Sequence, residues 1–547
     1  MFTYTTGGQF DVIVVGAGLA GIACACSAAE NGAKVALVSK GRLCHTGSSF
    51  YVRSLPWGML TAGYGENAAT QFAREIVEGS HGCIDEQLVD IMVKESNTAA
   101  DHLKEMGISL HKIETIPCFG TVERGYRLND FKNLQECCFA ALKDHNVRIF
   151  DQTNVIDLMV DEKAGRCYGV IAFIKEDRTP VCLKAKAVVL ASGGGVDLFK
   201  TAFSLPNDTQ GTACGMALRH GACATNMEFI QFIPGVIAPA HGLNFHHATF
   251  PFINRFETPE DGVGIDEFIP RNENLEDCLK ARAKHGPFSS HDCSKWIDIA
   301  MIMSQKDKMH PRGMRIHYDT TIKDRQYIKW KDFLSKFGIN LENDDIYIYP
   351  HAQAFNGGLR INANCETTIE GLYACGEAAG GPHGANRIGG LAILATQVFG
   401  KIAGESAAGY AAAHSQYSET YHMEDDLPKG SKAERTPEET MDQIRLIMQE
   451  AAFVIRNEEK LASALEKMQA VAESCNPMLY GNAKAFDVMN AANTALACLK
   501  AMKMRRESRG SHYREDYPEK NDGLYAAMQT VTIKDGIPCS SFDEMEC

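Results

Sequence analysis

The residues with the plainest chemical purpose come first in the chain. Gly16-Ala17-Gly18-Leu19-Ala20-Gly21 has G-x-G-x-x-G spacing and follows an apolar run, Asp11-Val12-Ile13-Val14-Val15. In such a unit the first glycine allows a tight turn and the second lets backbone approach a pyrophosphate. The third lets the next helix pack on the strand, so that its N-terminal amides face phosphate. A lone match is weak, because glycines also mark ordinary turns. Here it lies between two strand-like runs and opens a small-residue helix, Ile22 to Glu30, that stops at Gly32. A bound dinucleotide is the expectation. The second strand, Lys34 to Val38, ends in Ser39-Lys40 rather than in the acid that holds an NAD ribose, which argues against a plain NAD dehydrogenase.

Other stretches carry similar chemistry. The loop Gly41 to Tyr51 includes Gly47-Ser48-Ser49, small and hydroxyl-bearing residues suited to phosphate or cofactor contacts, although a plain turn reads the same way. Lys186 to Leu190 is a second buried strand type, ending in Ser192-Gly193-Gly194-Gly195 and expected to return to the first sheet. Gly371 to Glu377 reads as a short strand and turn. After it, Gly380 to Gly390 forms a glycine-rich loop containing His383 and Arg387, and a helix from Leu391 to Ala408 offers a second N-terminus to an anion or electron-rich ring.

These stretches need elements to hold them. At 547 residues the chain exceeds one core, so two or three domains are expected. Helical periodicity runs from Ala68 to Met106, and strand patterns cover Arg148 to Val160 and Cys167 to Phe173. Residues from about 226 to 349 change character, rich in His, Asp, Lys and Phe, and suggest an inserted domain over the site. Beyond about residue 430 the pattern is helical and charged: Pro437 to Glu450, Glu459 to Ala472 and Ala483 to Arg506. A hydrophobic content of 45% with 23% charged residues suits a globular enzyme, and a net charge of −14 disfavours nucleic acid and anionic membrane. No run is long and apolar enough for direct membrane insertion, and no signal peptide pattern is present, so a cytoplasmic location is expected. The 19 cysteines are scattered without C-x-x-C or ferredoxin-like spacing; no metal site, haem or iron–sulfur cluster is expected in this chain.

Four separated stretches together resemble one family: Val12–Gly21 with Ser39-Lys40; Leu190–Gly194 with Gly215-Met216-Ala217-Leu218; Gly371–Arg387; and Arg505 to Pro518. The family is the FAD flavoprotein of succinate dehydrogenase and fumarate reductase, with L-aspartate oxidase as a relative, and His383-Gly384-Ala385-Asn386-Arg387 is its most specific motif here. The resemblance implies an α/β fold: a Rossmann-like FAD-binding domain (1–225 and 350–430), an interrupting capping domain (226–349) and a C-terminal helical domain (431–547). It implies that Gly16, Gly18 and Gly21 hold the pyrophosphate, with Ser39 and Lys40 near the adenosine ribose. Gly193 and Gly194 lie in the second shared stretch, and Gly47, Ser48 and Ser49 would meet the flavin. Glu377 would bind ribityl or ribose hydroxyls, and Gly389, Gly390 and Leu391 would bring helix-start amides to flavin O2 and N1. The family's flavin-attaching histidine aligns with Ser48, and His45 lies three residues early, so noncovalent FAD is expected.

The substrate side departs from the family. One substrate histidine is replaced by Ile233 and a second by Gln353, while the clamping arginine remains as Arg387. The proton-shuttling arginine has two registers, Arg271 or His291; the spacing favours His291. His246, His247 and His351 are further candidates, though a structural role outweighs a functional one for His246 and His247. The expected activity is hydride transfer between flavin N5 and a carbon of a carboxylate substrate, with reduction of an activated C=C bond in an acid other than fumarate preferred. Arg387 would clamp the carboxylate, with His291 moving the proton and Gln353 in the pocket. The alternatives are amino acid oxidation, as in L-aspartate oxidase, and a flavin relay within a larger complex. In either case electrons come from or go to a separate iron–sulfur protein, free flavin, a small carrier or oxygen.

Overall fold

The computed structural model describes residues 5–53, 57–114, 116–128, 130–161, 163–174, 180–319, 321–414, 435–475, 477 and 482–543. The boundary expected at 430/431 lies outside the described residues. The central sheet grows from the apolar strand Thr5–Val15, which is paired in parallel with Val35–Val38 on one side and Val181–Leu190 on the other. Arg148–Phe150 extends the first edge, while Arg166–Ile174 and Thr153–Asp161 continue beyond Val181–Leu190 as antiparallel strands. Leu372–Ala374 also pairs in parallel with Val181–Leu190, so the glycine-rich loop that follows it departs from the same sheet edge as the first one. Ligands bind at such carboxyl ends of parallel strands.

The strand expected over Arg148 to Val160 is two strands. Gln152 adopts φ of 50° and breaks the run, which lets the first piece pair with Val35–Val38 and the second turn back onto Arg166–Ile174. The helical pattern from Ala68 to Met106 likewise divides into Ala68–Gly79, Glu86–Lys94 and Ser96–Glu105, the second capped by Asp85 accepting from the Leu88 amide.

Helix Leu19–Glu30 lies against the long helix Leu391–Ala413. Both faces are built from small residues, and a Cβ on Gly400 would stand 2.7 Å from the Ala20 carbonyl oxygen. That close approach brings the two helix N-termini to one cleft. Residues 230–355 hold a five-stranded antiparallel sheet, ordered Leu243–Asn244, Ile230–Ala238, Ile346–Phe355, Met314–Tyr318 and Ile253–Glu257. Its own apolar core includes Trp330, Ile316, Ile348 and Met301, all almost fully buried. The C-terminal helices Pro437–Ala451, Glu458–Ser474 and Ala483–Met504 follow the expected pattern. A hairpin after them, Gln529–Lys534 and Ile537–Phe542, was not anticipated; it completes a sheet with Ala224–Thr225 and Gly358–Arg360.

One buried ionic cluster ties the central sheet to the C-terminal helices. Asp157 accepts from Arg219 Nη2 at 2.6 Å and lies 2.9 Å from His220 Nε2, while Arg219 Nε donates to Asn490 at 3.0 Å. Burial alone would raise the Asp157 carboxyl, but Arg219 and His220 hold it well below the ordinary carboxylate range. Its folded pKa lies below its unfolded one. The stability it contributes is therefore complete above about pH 4 and falls away as pH drops through the folded value. Asp157→Asn should lower stability by about 3 kcal/mol, because it strands a guanidinium that is mostly out of water. Urea unfolding of the mutant and parent at pH 7 and pH 3 measures this, and the difference should shrink at the lower pH.

Candidate active site

The two glycine-rich loops open on one cleft of about 440 Å³. Its first wall is the turn from Val15 into Leu19–Glu30. Gly16 has φ of +108°, a conformation closed to most side chains, and a Cβ there would press on Ser192 and the Ala191 carbonyl. Gly16 and Gly18 line the cleft; Gly21 stands behind them, packed against the Gly16 carbonyl, where any Cβ would collide. Ser39 and Lys40 also line it. The Ser39 hydroxyl donates to Gly41 O at 2.9 Å, and Lys40 Nζ reaches Gln210 at 3.0 Å and Asp487 at 3.0 Å. Gly47, Ser48 and Ser49 form the facing loop. Asp208 accepts from the Gly47 amide at 2.6 Å, and Ser49 Oγ accepts from the Leu19 amide at 3.1 Å. His45 is exposed, turned away onto the Leu43 carbonyl.

Gly193 lines the cleft, and Gly194 stands just behind it, where a Cβ would lie 2.6 Å from Glu377 Oε1. Glu377 presents its carboxylate to the cleft and accepts from the Phe355 amide at 2.8 Å. Burial raises its pKa against the pull of that amide and of Arg387. At the far end Gly389 and Gly390 line the wall and Leu391 is wholly buried, its amide closing a turn onto Ile388 O at 3.3 Å. Amides contributed to the cleft by this helix therefore belong to residues beyond Leu391, where Ala392 and Ile393 line it. Neither helix carries a side-chain N-cap. Two helix N-termini whose N-cap residues are glycines without a capping side chain, together with a carboxylate in the same cleft, fit a long ligand with phosphates, hydroxyls and an electron-accepting ring.

The arginine lies where the loop is most tightly held. The amides of Ala385 and Asn386 donate to Gly82 O at 3.3 Å and Ser80 O at 3.1 Å, and Gln231 Nε2 donates to the Arg387 carbonyl at 3.2 Å. The Arg387 side chain lines the cleft and is 7% exposed. Among the described residues no carboxylate lies within ion-pair distance of its guanidinium; Nη2 donates at a long 3.5 Å to Gln353 Oε1. Burial lowers its pKa, against the more distant Glu377 carboxylate. The same cleft is lined by an apolar cluster, Tyr51, Phe203 and Ile233. The site thus brings Arg387 and Gln353 together beside Ile233.

It does not bring His291 to them. That histidine is exposed on the loop before Lys295–Met303, with its ring against His81 at 4.8 Å between centroids, and it is not among the residues lining the cleft. The loop is fixed that way by the Ser290 amide donating to Gly510 O at 2.8 Å and by Asp292 accepting from the Ser294 amide. Of the other histidines, His351 is buried behind the apolar cluster, stacked on Phe203, and burial pushes its pKa down to about 3. His246 is likewise pushed down to about 3, whereas His247 reaches the cleft wall. Sequence reasoning missed Cys118, Asn244, Phe203 and Asp208, which line the cleft from segments with no motif of their own.

Among the described residues no helix is long and apolar enough to cross a membrane. The family model described as "FAD binding domain" matches residues 11–251 and 310–393, more than half of the chain, and "Fumarate reductase flavoprotein C-term" matches 441–539. The chain is 29% identical over 398 residues to an uncharacterized FAD-dependent oxidoreductase of Methanocaldococcus jannaschii, covering 69% of this chain and 68% of the relative. It is 26% identical to a fumarate reductase (CoM/CoB) subunit of Methanothermobacter marburgensis (93% and 95% covered) and 26% identical to L-aspartate oxidase of Streptomyces coelicolor (96% and 91%). Among solved structures, E. coli quinol fumarate reductase carrying a point mutation in FrdA superposes with a TM-score of 0.81 at 21% identity, covering 99% of this chain and 97% of that one. The fold is therefore the one the sequence implied: an FAD-binding α/β architecture with a C-terminal helical region. The chain belongs to the fumarate reductase and succinate dehydrogenase family of FAD-dependent oxidoreductases, with FAD as its cofactor.

Proposed function

We propose that this flavoprotein reduces a C=C bond conjugated to a single carboxylate, in a substrate whose other end is apolar or neutral, and that fumarate is not its physiological acceptor. The observation that carries this reading is the buried Arg387, without a carboxylate partner among the described residues and lining the same cleft as the cluster of Tyr51, Phe203 and Ile233. A guanidinium so far from water favours an anion in the cleft, and its planar fork suits one carboxylate held by two hydrogen bonds. Gln353 Oε1 lies 3.5 Å from one arm of the fork. A second carboxylate beside Ile233 would lose water and gain no cation, at a cost of several kcal/mol. An alkyl or aryl tail there would instead bury apolar surface, worth about 25 cal/mol per Å².

Bound FAD supplies hydride transfer at N5. The residues that would hold it are Gly16, Gly18 and the amides beyond them at the pyrophosphate, and Glu377 at the hydroxyls of the linking chain. Gly389, Gly390 and the helix start would lie at the ring. Ser48 offers no imidazole for attachment to the ring, so the cofactor is noncovalent in this reading. The electrons come from a separate partner, in keeping with relatives named as subunits of fumarate reductase and succinate dehydrogenase.

Three outcomes are expected. Acid precipitation should release the yellow colour into the supernatant, whereas a flavin-bearing peptide containing His45 would overturn noncovalent binding. Arg387→Lys should keep FAD while kcat/KM falls about 100-fold or more, since a point charge cannot reproduce the fork. In stopped-flow mixing, anaerobically reduced enzyme should be reoxidised faster by cinnamate or crotonate than by fumarate. Saturable reoxidation at micromolar fumarate would restore a dicarboxylate substrate.

A further inference from the structure

Cys118 stands in the wall of the cleft, on the same side as the Arg387 loop. Its carbonyl accepts from the Gly389 amide at 2.9 Å, and its Sγ lies 3.5 Å from His247 Nε2, so thiol and imidazole form a pair, both lining the cleft. The Gly286 amide donates to Sγ at 3.2 Å. The position is held against local preference. Phe119, the next residue, adopts φ of 63°, uncommon for a bulky side chain, with its ring stacked on His285 at 4.7 Å. A strained residue persists where its surroundings over-determine it, and such residues cluster at active sites.

We propose that Cys118, backed by His247, is the acid that protonates the substrate carbon in the reduction proposed above; the inference rests on that reading of the cleft. The olefin gains the hydride supplied by the cofactor's chemistry at one carbon and a proton at the other. At the second carbon the S–H bond breaks and a C–H bond forms, leaving a thiolate. The thiolate is met by the Gly286 amide, with Arg282 and Arg387 as nearby cations. The thiol is restored by a proton that comes ultimately from solvent, with His247 Nε2 the group placed to hand it to sulfur, and sulfur undergoes no net oxidation. Burial raises the thiol's pKa, so the proton is in place at neutral pH, and burial with Arg282 pushes His247 down to about 3, so the relay is neutral. An acid of high pKa is adequate here because the carbon it protonates is far more basic.

Iodoacetate tests the geometry without turnover, since it places an electrophilic carbon next to a carboxylate. The holoenzyme is labelled in parallel with iodoacetate and neutral iodoacetamide, and each cysteine is scored by peptide mass. At Cys118 the iodoacetate-to-iodoacetamide ratio should exceed that at the exposed Cys539 about tenfold or more, and cinnamate should protect Cys118. Arg387→Met should bring the Cys118 ratio down to the Cys539 value. An equal ratio at the two cysteines in the parent would overturn the assignment. A preference that survives Arg387→Met would instead overturn the carboxylate clamp. In turnover, Cys118→Ala should keep FAD and bind cinnamate while its reduction, or that of fumarate if the parent prefers it, falls about 100-fold or more. Full turnover in Cys118→Ala, with the loss found instead in His291→Ala or His383→Ala, would place the acid there.

Discussion

A guanidinium held out of water without a carboxylate partner among the described residues is the constraint on which the site depends. Left alone, Arg387 would swing towards solvent or pair with an acid. Here its backbone is pinned on several sides, by Ser80 and Gly82, by Gln231 and, through the next turn, by the Gly389 amide on Cys118. The nearby charges Glu377 and Arg387 shift one another's titration without meeting in an ion pair among the described residues, so the cation stays available to a ligand. The protein spends part of its stability on that arrangement, as binding sites commonly do.

The support comes from the far end of the chain. Arg505 pairs with Glu228 at 2.6 Å and with Glu507 at 2.9 Å, and Arg509 with Glu507 at 2.7 Å, all fully buried. Arg509 Nη1 donates to His81 O at 2.7 Å, and the Ser511 amide donates to Ala385 O at 3.0 Å. This charged segment therefore grips both the turn at 80–82 and the loop bearing Arg387. Buried ion pairs of this kind add little net stability, because desolvation offsets attraction, but they hold geometry closely when every group is satisfied. They explain a motif from Arg505 to Pro518 that contributes no residue to the cleft wall.

The substrate end differs from the cofactor end in how it is made. The end of the cleft proposed for the cofactor is shaped by backbone freed by glycine at a few turns, whereas the end proposed for the substrate is assembled from side chains far apart in the chain. Tyr51, Cys118, Phe203, Ile233, His247 and Gln353 line one cleft although they come from separate segments, and Ile233, His247 and Gln353 belong to the residues that hold the five-stranded sheet. Ile233 is apolar and 8% exposed within a small cluster of its own.

The local signals in the sequence were strong wherever backbone conformation within a few residues fixed the element. The G-x-G-x-x-G turn, the glycines around Arg387 and the apolar strand patterns specify their elements nearly alone, because steric limits on φ and ψ act within a few residues. Glu377 and Arg387 were legible for the same reason, being placed by short turns after a recognisable strand. His291 was not, since spacing along the chain carries no information on which way a loop turns its side chain. A carbonyl at Gly510 and a ring at His81 decided that. The C-terminal hairpin and the pairing of Cys118 with His247 were equally invisible, because their partners lie hundreds of residues away or on unpatterned loops. Sequence by itself determined the cofactor class and the retained cation; tertiary structure alone decided which side chains share the cleft, because contact between distant segments is set by packing of the whole sheet and not by any local preference.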